Sequence, residues 1–373
     1  MVNLAQNISG TSQNHGNNYS NLQRNDGRSE ESGTLQGKNE SISPLLDRSN
    51  SVFQSYRLVS AISGSRSVVI YQAINLKTRN DVCLKIFYFN KSNYEEVHRR
   101  FIREILPMIP LSSFSSEISP SLLNFGEDES EGCFYMETSY VEQVHLEQLQ
   151  EIDFDLRLSI VLKVFLKLVN NLRIFHSYGF LHGDIKPANI LIDSKLNPLL
   201  IDFGASINVN NRSAFDTGTF DYLPIETLDG GMYNHISEIY CVAVSLFEFL
   251  FCKLPFDKCS VAQAIRSKVL GEFDQIDTGD VERDQALNTF FRIALSPKPS
   301  GRFRDLYSFE MAIRSLLDGN FNYLLGISNI SPIFTNISFK SRLVEGNIFG
   351  FNLKKPSWWS GIYIWVKDKI FIK

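Results

Sequence analysis

Residues 154 to 202 change period twice within fifty positions, and that change limits the folds open to the chain. Leu156, Ile160, Val164, Leu168, Leu172 and Phe175 recur at helical spacing, and Tyr178-Gly179 stops them. Two short apolar runs follow, Ile190-Leu191-Ile192 and Leu199-Leu200-Ile201, which read as the arms of a hairpin. The polar residues fall where these elements meet: His182-Gly183-Asp184-Ile185-Lys186-Pro187-Ala188-Asn189 after the helix, and Asp202-Phe203-Gly204 after the second arm. A helix, a loop and a hairpin thus deliver two carboxylates, an amine and an amide towards one place.

Those groups suit phosphoryl transfer, which needs a carboxylate to orient an attacking hydroxyl, a cation on the moving phosphate and oxygen ligands for magnesium. Asp and Asn are ordinary turn residues, so a lone Asp-x-x-x-x-Asn would carry little weight. Here the hairpin that carries the second acid supplies the context. The spacing is that of a well-known template for kinase catalysis, and the sequence resembles the eukaryotic-type Ser/Thr protein kinases from about Tyr56 to about Leu317.

The resemblance implies an α+β, bilobal fold: a small β-rich lobe with one helix over residues 51–137 and a larger α-helical lobe over 138–317. It implies ATP and Mg2+ as cofactors and Ser/Thr residues of proteins as acceptors. Asp184 and Lys186 take the catalytic positions, and Asn189 and Asp202 those of the metal ligands. Lys85, in the strand-like Val82-Cys83-Leu84-Lys85-Ile86, takes that of the ATP lysine, with Glu104 as its helix partner. On that helix Phe101, Ile105 and Met108 share a face, and Pro107 is expected to end it early. Ile62, Ser63, Gly64, Ser65, Val68 and Ile70 fall on the phosphate-covering hairpin, and Thr138 and Tyr140 on the adenine hinge, with Met136 or Thr138 guarding the back pocket. Thr217 to Glu226 resembles the peptide-docking segment, and Arg302 sits where the family pairs an arginine with that glutamate.

Three departures modify this picture. The glycines of the phosphate loop fall on Ser63, Ser65 and Val68, which predicts a weaker phosphate cradle. Gly183 replaces an arginine that grips a phosphorylated loop residue, so activity is predicted not to need phosphorylation of Ser206, Ser213 or Thr217. Glu238 stands where the family has an Asp that holds the catalytic loop, and its extra methylene moves the oxygens by about a bond length. Two other readings follow from such features: a pseudokinase that only binds partners, and an aminoglycoside- or choline-type phosphotransferase, whose loop His-Gly-Asp also resembles. Lys186, the docking segment and Arg302 favour a protein substrate.

Composition sets outer bounds. The 373 residues are 43% hydrophobic, enough for two sizeable cores, and a net charge of -4 gives no electrostatic case for nucleic acid. Cys83, Cys133, Cys241, Cys252 and Cys259 are scattered and odd in number, which reads as reduced thiols in the cytoplasm. The longest apolar stretch, Tyr240 to Phe251, falls short of the roughly eighteen residues a membrane span needs, and with no basic segment and apolar run at the start, a secretory signal is not expected. Residues 1–50, rich in Asn, Ser and Gln, are expected to be a disordered tail. Residues 318–373 form an extension in which Trp358, Trp359, Tyr363 and Trp365 alternate with Lys; strand-like packing is its ordinary explanation and peripheral membrane contact the sharper one.

Overall fold

The computed structural model describes residues 48–65, 67–112, 117–144, 146–209, 218–228, 230–256 and 260–328. It opens with a sheet built from β1 (Val52–Phe53), β2 (Tyr56–Gly64), β3 (Val68–Asn75) and β4 (Asp81–Tyr88). Helix α1 (Tyr94–Ser112) follows, then β5 (Leu122–Asp128) and β6 (Cys133–Ser139). All pairs are antiparallel, in the order β1-β2-β3-β4-β6-β5.

Alternation along these strands separates two faces. Val69, Tyr71, Val82, Leu84 and Ile86 are buried in the sheet's own core with Phe53, Tyr56 and Leu58. Residues paired across strands share a face, so the register Ile70↔Lys85 and Lys85↔Met136 puts Lys85 on the other face. Helix α1 packs on that face through Phe101, whose ring lies 4.9 Å from Phe134 and 5.5 Å from Phe87.

Pro107 does not end α1; the helix runs on to Ser112 through both Pro107 and Pro110. The hydrogen bonds these prolines forgo belong to the carbonyls of Arg103 and Leu106, both on the exposed side where water can serve them. Buried Met108 and Leu111 continue the apolar face beyond the first proline. Packing outweighs the local breaker here.

The second lobe comprises α2 (Leu146–Gln150), α3 (Phe154–Ser177), β7 (Phe180–Leu181), β8 (Ile190–Ile192), β9 (Pro198–Leu200) and β10 (Ile207–Asn208). It continues with α4 (Ile225–Leu228), α5 (His235–Phe251), α6 (Val261–Leu270), α7 (Val281–Ala294), α8 (Leu306–Leu317) and α9 (Asn322–Ser328). Asn234 caps α5 by accepting from the amides of Ile236 and Ser237, and α5 is apolar and buried around most of its circumference, as the lobe's central rod must be. Helices α3 and α7 pack against it, and α8 packs against α3 and α7. At the end of α3, Tyr178 donates to the carbonyl of Phe175 and Gly179 takes a left-handed φ of 81°, so the chain turns sharply into β7.

The expected tail overlaps the domain by a few residues. Asn50 donates its amide to Leu58, and Arg48 bonds Tyr88 and Glu131; the rest of that tail lies outside the described residues. The extension begins as helix, since α9 carries the buried Leu324. The tryptophans of residues 358–365, the proposed membrane contact, Cys259, Ser213 and Thr217 also lie outside the described residues. Among those described, no helix is long and apolar enough to cross a membrane, and Cys83, Cys133, Cys241 and Cys252 are free thiols.

Candidate active site

The sheet brings Lys85 to the cleft, and α1 brings Glu104 to it. Lys85 Nζ lies 3.0 Å from Glu104 Oε1 and 3.0 Å from Asp202 Oδ1, so one ammonium serves two carboxylates from three separate elements. Burial works against the Lys85 charge, but the two acids outweigh it and raise its pKa to about 12. Burial also works against Asp202, and Lys85 overrules it, holding that carboxyl down at about 2. Glu104 is worst placed: burial, with Asp202 close by, lifts it to about 7 despite Lys85. The cation is divided, and the deeper acid receives the smaller share.

Asp202 adopts a left-handed backbone, φ 62° and ψ 70°, which turns its carboxylate towards Lys85 while the next residue goes inward. The amide of Phe203 donates to Glu104 Oε1 at 3.2 Å. The Phe203 ring is fully buried, 5.4 Å from Phe175 and 5.2 Å from His182. Gly204 admits the Glu104 carboxylate, because a Cβ there would sit 3.0 Å from Glu104 Oε2.

A second cluster forms in the loop between β7 and β8. Asp184 Oδ2 accepts from Lys186 Nζ at 2.7 Å and from Asn189 Nδ2 at 3.0 Å, and Asn189 Nδ2 also reaches the Asp184 carbonyl at 2.8 Å. Thr219, from the following segment, donates its hydroxyl to Asp184 Oδ1 at 2.8 Å and accepts from Lys186 at 2.7 Å. With its amide protons committed to Asp184, Asn189 presents its side-chain carbonyl. The half-exposed Asp202 carboxylate adds further oxygen. Hard oxygen donors beside a partly buried ammonium fit a magnesium triphosphate.

Glu238, at the start of α5, holds this loop from beneath. Its Oε1 accepts from the amides of His182 at 2.5 Å and Gly183 at 3.1 Å, and its Oε2 pairs with His176 Nε2. The extra methylene is therefore used: it lets one carboxylate reach the loop and the last turn of α3 together. Burial would raise the Glu238 pKa, but His176 and the loop groups outweigh it and lower it. His182 is itself buried; its Nε2–H donates to the carbonyl of Ile201 at 3.0 Å, and burial lowers its pKa, keeping the ring neutral.

The remaining candidates stay with the sheet. Ser63 and Gly64 pair with Ile70 and Val69, and a bulge interrupts the register at Ile62. Instead of a glycine tip, the hairpin closes on Ser65, whose amide donates to Val68 O at 2.7 Å and whose hydroxyl accepts from Val68 N at 3.3 Å. Met136 pairs with Lys85 and Thr138 with Cys83, so Met136 stands beside Lys85 in the sheet and Thr138 two residues nearer the end of β6. Tyr140 is partly exposed just beyond β6. Farther off, Arg302 grips Glu226 with both nitrogens, at 2.6 and 2.8 Å, over the Tyr240 ring. Sequence reasoning missed His176; its place in the last turn of the helix before the catalytic loop was the only available hint.

This arrangement agrees with the comparisons. A sequence profile described as the protein kinase domain matches residues 59–311. The serine/threonine-protein kinase PrkC of Bacillus subtilis is 26% identical over 269 residues, covering 71% of this chain and 41% of that protein. The serine/threonine-protein kinase pkn3 of Myxococcus xanthus is 25% identical over 276 residues, 70% of this chain and 50% of the relative. Aurora kinase B of Mus musculus is 27% identical over 201 residues, 53% and 56% of the two chains. The chain spans about half the length of these relatives or less. With the profile covering most of its length and both charged clusters assembled in one cleft, the chain belongs to the protein kinase family.

Proposed function

We propose that this chain, in a domain of residues 51–317, transfers the γ-phosphate of ATP to Ser or Thr hydroxyls of proteins. The observation that carries the reading is the four-membered cluster of Asp184, Lys186, Asn189 and Thr219, which ties the catalytic loop to the segment expected to dock a peptide. Asp184 orients the acceptor hydroxyl and takes its proton as the hydroxyl oxygen bonds to the γ-phosphorus and the bond to the β-phosphate oxygen breaks. Lys186 balances charge on the transferring group. Asn189 and Asp202 would hold magnesium, and Lys85, steadied by Glu104, the α- and β-phosphates. Magnesium supplies charge neutralisation on the triphosphate when bound. Ile62, Ser63, Gly64, Ser65, Val68 and Ile70 would cover the nucleotide, and Thr138 and Tyr140 would flank adenine. Catalysis on this account is placement and electrostatics.

The test sets wild type beside Asp202→Ala with labelled ATP and magnesium, offering a peptide mixture, aminoglycosides and choline in separate tubes. Label on peptide Ser or Thr from wild type alone is the expected result. Label on a small alcohol instead would move the chain to the small-molecule phosphotransferases, and nucleotide binding without label would make it a binding module.

Gly183 supports activity that is independent of loop phosphorylation. Replacing Ser206, Ser213 and Thr217 together with Ala should change turnover by less than about threefold, well under the tenfold that about 1.4 kcal/mol would produce. Free thiols and ATP use both fit a cytoplasmic setting.

A further inference from the structure

Lys268 is the one buried lysine among the described residues that the phosphate chemistry leaves unused. It lies on α6, is 2% exposed, and sends its Nζ not to a carboxylate but to three backbone carbonyls: Phe220 at 2.7 Å, Asp221 at 2.8 Å and Leu223 at 2.8 Å. The ammonium also lies 5.0 Å from the Phe220 ring centre. Three acceptors at these distances require three N–H donors, and only the protonated amine has three. Burial pulls its pKa down to about 8, so at neutral pH it is still mostly charged. The titratable groups facing it from elsewhere are Asp221 of the same loop and the Cys241 thiol of α5, which burial keeps protonated. Asp221 offsets part of the desolvation through its charge, and the hydrogen bonds of the ammonium all go to carbonyls.

A cation buried with no carboxylate bonded to it costs stability, so its placement calls for a return. The return is mechanical. Residues 220–223 directly follow Thr219, whose hydroxyl bridges Asp184 and Lys186. Gathering the carbonyls of 220, 221 and 223 on one point fixes that turn, and with it the approach of Thr219 to the catalytic loop. Two amides assist, since Tyr222 and Leu223 both donate to the Thr219 carbonyl, at 3.0 and 3.2 Å. Below the turn, Glu226 is held independently by Arg302.

We propose that Lys268 is a positioning residue that latches the 219–223 turn from α6, setting the surface on which the acceptor peptide docks. The peptide-docking part rests on the protein kinase reading; the latch itself does not. A latch of this kind governs acceptor binding and alignment and leaves nucleotide binding to the other lobe.

The experiment uses the full chain and three substitutions graded by donor number: Lys268→Arg, Lys268→Gln and Lys268→Met. Two readouts are taken, amide hydrogen exchange over residues 218–228 and steady-state kinetics with peptide and ATP varied separately. The expected result is that Lys268→Met speeds exchange at 220–223 and raises the peptide KM by roughly ten- to a hundredfold, the loss of a set of charge-assisted bonds. The ATP KM should move by less than about threefold, which corresponds to well under 1 kcal/mol. Lys268→Arg should restore most of the peptide KM, and Lys268→Gln should fall between. Equal losses for peptide and ATP would mean a general structural role and overturn the proposal. Unchanged exchange at 220–223 in Lys268→Met overturns the latch even if that variant is inactive. A wild-type chain that labels no peptide sinks the kinase reading instead, and the exchange data then decide the latch alone.

Discussion

Two glutamates, both fully enclosed, respond to burial in opposite ways. Glu104, in the small lobe, has its pKa lifted to about 7; Glu238, beneath the catalytic loop, has its pKa lowered. Loss of solvent pushes both up. What separates them is the balance of donors and anions nearby. Glu104 shares a single ammonium with Asp202, and the second carboxylate repels it. Glu238 collects two amides and an imidazole with no competing acid in contact. One region is left short of positive charge, at the place where the proposed function sets a nucleotide-bound cation; the other is complete in itself and serves as a frame.

The frame should therefore be the more costly to break. Glu238→Ala leaves buried amides and His176 without their acceptor, which predicts a loss of about 3–5 kcal/mol in denaturant unfolding and a fall in turnover of at least a hundredfold in whatever remains folded. Glu238→Asp sharpens the point, because it installs the residue that the resemblance to kinases calls for. The shorter side chain cannot span from the 182–183 amides to α3 on this backbone, so Glu238→Asp is expected to lose activity. A more active Glu238→Asp would mean that the extra methylene is a burden.

His176→Ala is the next step down. It removes one of three partners and should cost about 1–3 kcal/mol. Combined with Glu238→Gln in a double-mutant cycle, it should cost less than the sum of the two, since both cut the same contact.

The pH dependence of stability distinguishes the two acids without touching catalysis. Glu104 has a folded pKa above its unfolded value of 4.5, so its contribution is fully present below 4.5 and is lost as pH rises towards 7. Glu238 has a folded pKa below 4.5, so its contribution is present above 4.5 and is lost on acidification. In nucleotide-free protein, the stability of wild type relative to Glu104→Gln should fall between pH 4.5 and 7. Relative to Glu238→Gln it should stay flat there and fall only in more acid solution. Urea unfolding at four or five pH values reads both curves, and parallel curves would mean that the two sites do not differ as described.

Much of this was legible in the chain. The change from helical to strand period announced the loop, and the spacing of Asp184, Asn189 and Asp202 announced its chemistry, because local periodicity and short-range spacing are what a sequence records. Lys85 with Glu104 and Arg302 with Glu226 could be paired only by resemblance. What escaped was long-range and depended on packing. Pro107 reads as a stop because the breaker is local, whereas the buried face that carries α1 past it is tertiary. His176 and Lys268 look like ordinary polar residues on amphipathic helices, and beyond the place of His176 in the turn before the loop nothing in their neighbours tells which loop lies over them. The bulge at Ile62 and the Ser65 closure of the hairpin depend likewise on a register that no single strand specifies.

The smallest predicted effect concerns Gly183, the residue that Glu238 holds by its amide. Its φ of 82° lies in the left-handed region, where a side chain costs about 1 kcal/mol that glycine avoids. Gly183→Ala should therefore lower stability by roughly that amount, and the amide bond to Glu238 Oε1 resists relaxation towards negative φ. If frame and loop act as one unit, the penalty should shrink in a Glu238→Gln background, where the loop is freer to turn. A Gly183→Ala cost that is the same in both backgrounds would show that the loop keeps its shape by itself, and Glu238 would then be a support for α3 more than for the catalytic loop.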